Sequence, residues 1–201
     1  MKKWYVLSML SLIAMFVFAY CNDAKPDTPT ESAPAETTAE KYGGYDSPAQ
    51  WGEHLVSIAG CNDCHSPKKM TPMGPEIDSS MLLSGHLAQS PKPEVDPKLP
   101  AKGLIVTADL TSWVGPWGTS YTANLTSDET GIGSWKEEQF IKAIREGKLK
   151  GLDNTRPLLP PMPWQTYRFM RDDELKAVFA YLKSTKPIKN VVPQPLPPAG
   201  K

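Results

Sequence analysis

One short stretch carries three residues whose types and spacing suggest a specific chemistry: Cys61, Cys64 and His65, in the pattern C-x-x-C-H. This pattern is the covalent attachment signature of c-type haem. Residues three positions apart share one face of a helical turn, so both thiols can reach the two vinyl groups on one porphyrin edge. His65 follows directly and is carried against the macrocycle, where an imidazole nitrogen can bind iron. The motif predicts one haem, attached through Cys61 and Cys64 and bound by His65.

Two other uses of paired cysteines compete with haem attachment. A C-x-x-C pair also occurs in dithiol redox sites and as half of a zinc site. A zinc site usually needs a second pair of ligands, but Cys21, His54 and His86 are not spaced as a pair. A thioredoxin-like site needs a βαβ pattern, which this sequence does not show. Haem attachment is therefore the favoured interpretation.

The N-terminal residues 1–21 are interpreted as a signal or lipoprotein segment. Two lysines precede an almost unbroken apolar run, which is short for a membrane span. Cys21 stands where a bacterial lipoprotein carries its acylated cysteine, although Phe18 and Tyr20 are atypical of the sequence before such a cysteine. Cleavage after Ala19 and an uncleaved anchor are the alternatives. Each of them places the body on the periplasmic side of a bacterial membrane.

The chain of 201 residues suits one folded domain with extensions. Residues 22–46 are rich in Pro, Thr, Ala and Glu, and such a segment is expected to be a disordered tether. Residues 191–201 are predicted to be a Pro-rich tail, which leaves 47–190 for the domain. Basic and acidic residues both number 22, so the balance of charge gives no indication of nucleic-acid binding.

Three helices are predicted to position the motif. The first begins at the N-cap Ser47, and its apolar stripe runs into Cys61. The second begins at a capping box, Ser134-x-x-Glu137, and ends at Gly147. The third spans Asp172–Ser184, with acidic residues at its start.

The region between these helices contains two segments with strand character, Gly103–Thr107 and Thr119–Thr122. A turn-rich segment, Gly115–Gly118, lies between them. We expect a small β-hairpin over one haem edge, in which Trp113, Trp117 and Tyr121 line the pocket or form an ordinary aromatic cluster.

This succession of signals resembles the class I cytochrome c family. In that family C-x-x-C-H closes the N-terminal helix, and a later Gly-Pro supplies a carbonyl to the histidine; Gly74-Pro75 matches that place. The resemblance implies an all-α cytochrome c fold with a long insertion, which is the place for the hairpin. It also implies that the Pro75 carbonyl accepts a hydrogen bond from His65 Nδ1.

A second stretch is similar to cytochrome c domains of bacterial periplasmic dehydrogenase complexes. Asn124 opens Asn-Leu-Thr-Ser-Asp, and Trp135 closes the Gly-Ile-Gly-Ser-Trp that follows, although Ser127 replaces a proline of the family pattern. The resemblance implies that Asn124 and Trp135 contact haem propionates. The family also packs an aromatic residue of the last helix over a glycine of the first, which implies Tyr181 over Gly52.

Met162 is the predicted sixth iron ligand. It lies in Pro160-Pro161-Met162-Pro163-Trp164, where the prolines stiffen the backbone and exclude a helix. A thioether favours reduced iron and raises the potential relative to a second histidine. Trp164 is assigned to the haem pocket with it. His86 is the main rival, followed by Met81 and an open coordination site.

These features predict a monohaem c-type cytochrome that carries single electrons in a periplasmic or membrane-surface chain and is not itself an enzyme. Its expected partners are redox proteins, such as a dehydrogenase, an oxidase or another cytochrome, together with the membrane that holds it. The long insertion supports an alternative, the haem subunit of a periplasmic dehydrogenase or terminal-oxidase complex. A gas-binding haem sensor is the third hypothesis.

Overall fold

The computed structural model describes residues 41–93 and 103–198. The predictions for the export segment with Cys21, and for most of the tether, fall outside these residues. Among the described residues, no helix combines the length and the apolar character that crossing a bilayer requires.

Along the sequence, the helices of the described residues precede and follow a β-rich segment. They are α1 (Pro48–Ile58), α2 (Cys61–His65), α3 (Glu137–Glu146), α4 (Trp164–Tyr167) and α5 (Asp172–Ser184), with 3₁₀ turns at Ser79–Met81 and Leu149–Gly151.

The segment between α2 and α3 forms two small antiparallel sheets. Their strands are β1 (Lys68–Thr71) with β2 (Gly74–Ile77), and β3 (Ile105–Val106), β4 (Ser112–Gly115) and β5 (Gly118–Tyr121) in the order β3-β4-β5. With 34% helix and 14% strand in the part of the chain that the structure describes, the fold is mixed, and the prediction of an all-α protein is wrong. The physical reason is that short runs between turn residues pair with one another along the insertion. Three of these strands, β1, β2 and β4, have only four residues each, which is too short for them to be recognised from the sequence.

The strand pairing also differs in detail from the predicted hairpin. β5 pairs with β4, so that Tyr121 lies opposite Ser112, and β3 is the third strand of the sheet. The tail is not free either, because Leu196 and Thr119 exchange two backbone hydrogen bonds of 2.9 and 3.0 Å. Part of the predicted tail therefore extends the sheet along the β5 edge.

The crossing of α1 and α5 organises the core. An added Cβ at Gly52 would lie 2.8 Å from Tyr181 Cβ and closer still to the Ala177 carbonyl, so only glycine permits this approach. The predicted packing of Tyr181 over Gly52 is thus confirmed. Around the crossing the main buried apolar side chains are Trp51, Leu55, Val56, Leu83, Ile132, Phe140, Ile144, Leu175, Val178 and Leu182.

Local signals explain where the helices begin and end. Ser47 Oγ accepts a hydrogen bond of 3.2 Å from the Gln50 amide, as expected for an N-cap followed by proline. The predicted capping box at Ser134 is wrong, because α3 begins at Glu137 and the Gln139 side chain accepts the Lys136 N–H at 2.9 Å. Gly147 ends α3 in the left-handed conformation, with φ of 65°.

Candidate haem-binding site

The C-x-x-C-H motif forms its own short helix, α2. Gly60, with φ of 70°, separates α1 from α2, so the first helix ends at Ile58 and does not run into Cys61. Cys61 and Cys64 are free thiols, both partly buried. Their spacing places them on the same face of the turn, as a bond to one porphyrin edge requires.

His65 is buried, and its ring is oriented by one backbone group. Its Nδ1 lies 2.8 Å from the Ala123 carbonyl oxygen, which can only accept, so Nδ1 carries the proton and donates. Burial lowers the pKa of His65, and the bond to Ala123 partly opposes that shift. The neutral ring therefore keeps a lone pair on Nε2, the form that binds iron.

The carbonyl predicted to orient His65 was the wrong one. Pro75 lies in β2, opposite Met70 of β1, and is exposed. The hairpin turns the Gly74-Pro75 segment toward solvent, whereas the chain returns to His65 at Ala123. Every residue has a backbone carbonyl, so no signal in the sequence distinguishes Ala123.

Gly85 makes the approach of Ala123 to His65 possible. Its amide donates to the His65 carbonyl at 2.8 Å, and its φ of 73° is in the left-handed region. A Cβ at this position would lie 2.6 Å from the Ala123 carbonyl oxygen. Gly85 therefore contacts both partners of the bond that orients the imidazole.

The two thiols differ in their environment. Burial raises the pKa of Cys61 to about 11. Burial also raises the pKa of Cys64, but the positive charge of Lys68 opposes the shift. Two unpaired, protonated thiols beside an imidazole with a free Nε2 fit a haem that adds thiol S–H bonds across its vinyl groups.

Met162 is partly buried, packs against the core and lies on a loop tied to two other parts of the fold. Ser120 Oγ donates to the Pro160 carbonyl at 2.6 Å, which joins the loop to β5. The Tyr167 hydroxyl donates to the Ala59 carbonyl at 2.6 Å, just before α2. Burial raises the pKa of Tyr167, and Cys61 and Cys64 add to the shift. The Met162–Tyr167 segment thus lies beside the attachment helix.

The two tryptophans assigned to the haem pocket have different surroundings. An added Cβ at Gly147 would lie 2.6 Å from Trp164 Cδ2, so this indole covers the end of α3. The Arg168 guanidinium carbon lies 5.8 Å from the centroid of the Trp164 ring. Trp135 is partly buried against the core, directly before Lys136, the N-cap of α3.

Asn124 has a structural role in place of the predicted propionate contact. It is 3% exposed. Its amide donates to the Ile188 carbonyl at 2.9 Å and to Thr130 Oγ1 at 3.1 Å, while its Oδ1 accepts from the Thr126 amide at 2.9 Å. Because the protein occupies these polar atoms, Asn124 joins the segment that orients His65 to the C-terminal residues.

Asn190 is a second buried asparagine, which the sequence analysis did not identify. Its Nδ2 donates to the carbonyls of Ser84 and His86 at 2.7 and 2.9 Å, and its Oδ1 accepts from the Ala88 amide at 3.0 Å. A single asparagine in a proline-rich segment carries no sequence signal. Together the two asparagines bind the C-terminal segment to the two loops beside His65, at residues 84–88 and at residues 124–130.

His86, the rival for the sixth position, is buried in the insertion. Its Nδ1 lies 2.8 Å from Thr111 Oγ1, which in turn donates to Asp109 at 2.7 Å. Its backbone amide donates to the Thr122 carbonyl at 3.0 Å. The segment that orients His65 therefore also holds the backbone of His86, whose buried Nε2 has no hydrogen-bond partner among the described residues.

Comparisons with known proteins add independent evidence. No protein-family model matches the chain. The chain is 39% identical to a nicotinate dehydrogenase component of Pseudomonas putida over 79 residues, 39% of this chain and 6% of that protein. It is 42% identical to the gluconate 2-dehydrogenase cytochrome c subunit of Pantoea cypripedii over 67 residues, 33% of this chain and 14% of that one. With the fructose dehydrogenase cytochrome subunit of Gluconobacter japonicus, identity is 24% over 192 residues, 94% of this chain and 30% of that one.

The chain thus spans less than a third of the length of each of these relatives. The cytochrome subunits among them support a cytochrome c domain with haem c in this chain. They do not favour a dehydrogenase subunit over an independent carrier.

Proposed function

We propose that this chain is a monohaem c-type cytochrome that carries single electrons at the periplasmic face of a bacterial membrane. One observation carries the proposal: two free thiols lie on one helical turn directly before a buried histidine, whose Nδ1 is held by Ala123. When bound, haem supplies an iron that accepts one electron from a donor and gives it to an acceptor. The protein's part is to attach, orient and enclose that group.

In this proposal Cys61 and Cys64 would attach the haem covalently, and His65 and Met162 would supply the two protein ligands to its iron. The prolines beside Met162 restrict its backbone, and hydrogen bonds from Ser120 and Tyr167 tie the loop to β5 and to the end of α1. Such a support suits a ligand that stays in place in both oxidation states. Two protein ligands leave no iron position for a substrate, which agrees with a carrier.

Intact mass and visible spectroscopy test the attachment. The protein is produced in a host that attaches c-type haem, beside a Cys61→Ser/Cys64→Ser variant and a His54→Gln control, in which the changed histidine is exposed. We expect the mass of one haem on wild type and control, and none on the double variant. A wild-type protein that carries no covalent haem under these conditions would contradict the proposal.

The dehydrogenase-subunit hypothesis stays beside the carrier because a cytochrome subunit aligns with 94% of the chain. The two hypotheses differ in the stability of the assembly. A complex that survives purification in mild detergent, and contains a dehydrogenase, favours the subunit. A monomer that exchanges electrons with several donors favours the carrier.

A further inference from the structure

Lys68, the first residue of β1, has an unusual set of contacts for a lysine. Its ammonium donates to three backbone carbonyls, those of Asp63, of Ser66 at 3.3 Å and of Asp109 at 3.0 Å. The side chain is partly buried, and no carboxylate of the described residues lies within 4.0 Å of it. Carbonyl dipoles solvate this charge, but they do not neutralise it.

The three acceptors surround the haem motif. Asp63 directly precedes Cys64, and Ser66 directly follows His65, so the ammonium binds the backbone on both sides of this pair. Asp109 belongs to the loop before β4, so the same group also joins α2 to the inserted sheet. The charge is therefore held at a constant position beside the attachment helix.

The neighbouring lysine shows that this arrangement is specific to one position. Side chains alternate between the faces of a strand, so Lys69 points away from Lys68. Lys69 is 65% exposed and forms an ordinary surface ion pair with Asp78 at 2.9 Å. Its charge is paired with a carboxylate and screened by water.

We propose that Lys68 is a positioning residue that fixes α2 and raises the reduction potential of the bound haem. The inference rests on the proposed function. When iron gains one electron, Fe(III) becomes Fe(II), no bond forms or breaks, and the positive charge of the site falls by one. A fixed positive charge nearby repels the ferric state more than the ferrous state, with little screening where water is excluded. Lys68 therefore favours the reduced form.

The test measures the midpoint potential of purified haem-loaded protein, with haem content and spectrum recorded for each sample. We expect Lys68→Met to shift the potential downward, Lys68→Arg to remain near wild type, and Lys69→Met to shift it less than Lys68→Met. Equal shifts in Lys68→Met and Lys69→Met would overturn the inference, and so would an arginine variant that falls as far as the methionine variant. A wild-type protein without haem would instead overturn the proposed function.

A second measurement decides the positioning role in the wild-type protein, even where Lys68→Met does not mature. Reductive methylation modifies accessible amines, and peptide mass spectrometry reads each lysine separately. The carbonyl contacts predict that labelling is lost at Lys68 under conditions that label Lys69 fully. Equal labelling of both lysines would show that Lys68 is not bound to α2.

Discussion

At the residue scale, the site depends on how single side chains are held. His65 is neutral and fixed through Nδ1, and Gly85 allows the carbonyl of Ala123 to reach it. Residues that look equivalent in sequence differ in their contacts, since Lys68 binds backbone carbonyls while Lys69 pairs with a surface carboxylate. Contacts of this kind, and not the residue type alone, determine the role of each side chain.

Replacement of Met162 tests the sixth ligand. We expect Met162→Ala to keep its covalent haem but to lose the low-spin spectrum of a methionine-bound iron, to lower the potential and to bind carbon monoxide quickly. Met73→Ala is the matched control, because Met73 is 90% exposed on the β1–β2 hairpin. An unchanged spectrum in Met162→Ala would show that another residue binds the iron.

His86 gives a pH dependence of stability. Burial lowers the pKa of His86, and Asp109 partly opposes that shift. As pH falls below about 6.5, the unfolded chain therefore takes up a proton before the folded protein does, and the folded state loses at most about 1.4 kcal/mol per pH unit. Above that pH His86 is neutral in both states, so it does not make the unfolding free energy depend on pH.

Urea unfolding at several pH values between neutral and mildly acidic checks this expectation. His86→Gln removes the group, so the difference in unfolding free energy between wild type and variant is expected to shrink as the pH falls. The exposed His54→Gln variant serves as the control. A difference that is constant with pH would contradict the assignment.

At the element scale, the helices assemble through close crossings and long-range hydrogen bonds. α1 and α5 meet at Gly52, where neither element alone shows why a glycine stands in a helix. α4 is joined to the end of α1 by Tyr167, and this bond brings the Met162 loop to the attachment helix. The position of the iron ligands thus depends on contacts between elements.

The crossing predicts a large effect from one methyl group. Gly52→Ala would place a Cβ against the Ala177 carbonyl and Tyr181, and overpacking of this kind destabilises by about 1–3 kcal/mol. Gly103→Ala is the control, because no atom lies within 4 Å of its added Cβ. Denaturant unfolding measures both variants. Equal stability of the two would show that α1 and α5 do not approach so closely.

The link between α4 and α1 is tested by a pair of hydroxyl deletions. Tyr167→Phe removes the bond to the Ala59 carbonyl, and we expect a loss of about 1 kcal/mol of unfolding free energy and a more labile Met162 ligand. The hydroxyl of Tyr121 is buried without a partner among the described residues, so Tyr121→Phe should be neutral or stabilising. The reverse order of effects would contradict this assignment.

At the scale of the whole molecule, the proposed attachment to the membrane through Cys21 would decide which partners the haem domain meets. A lipid on Cys21 would hold the domain at the membrane, where it would meet a donor or an acceptor. Electron transfer would then depend on encounter at a surface rather than in the bulk of the periplasm.

Cell fractionation tests this attachment to the membrane. We expect wild-type protein in the membrane fraction, labelled by radioactive palmitate, and Cys21→Ser released from the membrane or retained unprocessed without the label. Cys64→Ser controls for the loss of a thiol elsewhere in the chain. Palmitate labelling that persists in Cys21→Ser would contradict lipidation at this residue.

The sequence by itself determined the features that depend on local chemistry. The spacing of Cys61, Cys64 and His65 predicts the cofactor, because thioether formation needs two thiols on one turn. Ser47 and the apolar periodicity predict the first helix, and the acidic start of α5 predicts the last, because caps and stripes act within a few residues. The comparisons with cytochrome subunits agree with that chemistry.

Only the tertiary structure decided the features that depend on the path of the chain. It placed the carbonyl of Ala123, and not that of Pro75, beside His65. It also gave the polar atoms of Asn124 hydrogen-bond partners within the protein. It also paired the short strands of the insertion and brought Lys68 onto α2. Backbone groups are the same at every residue, so their partners are set by long-range packing, which residue types and spacing do not encode.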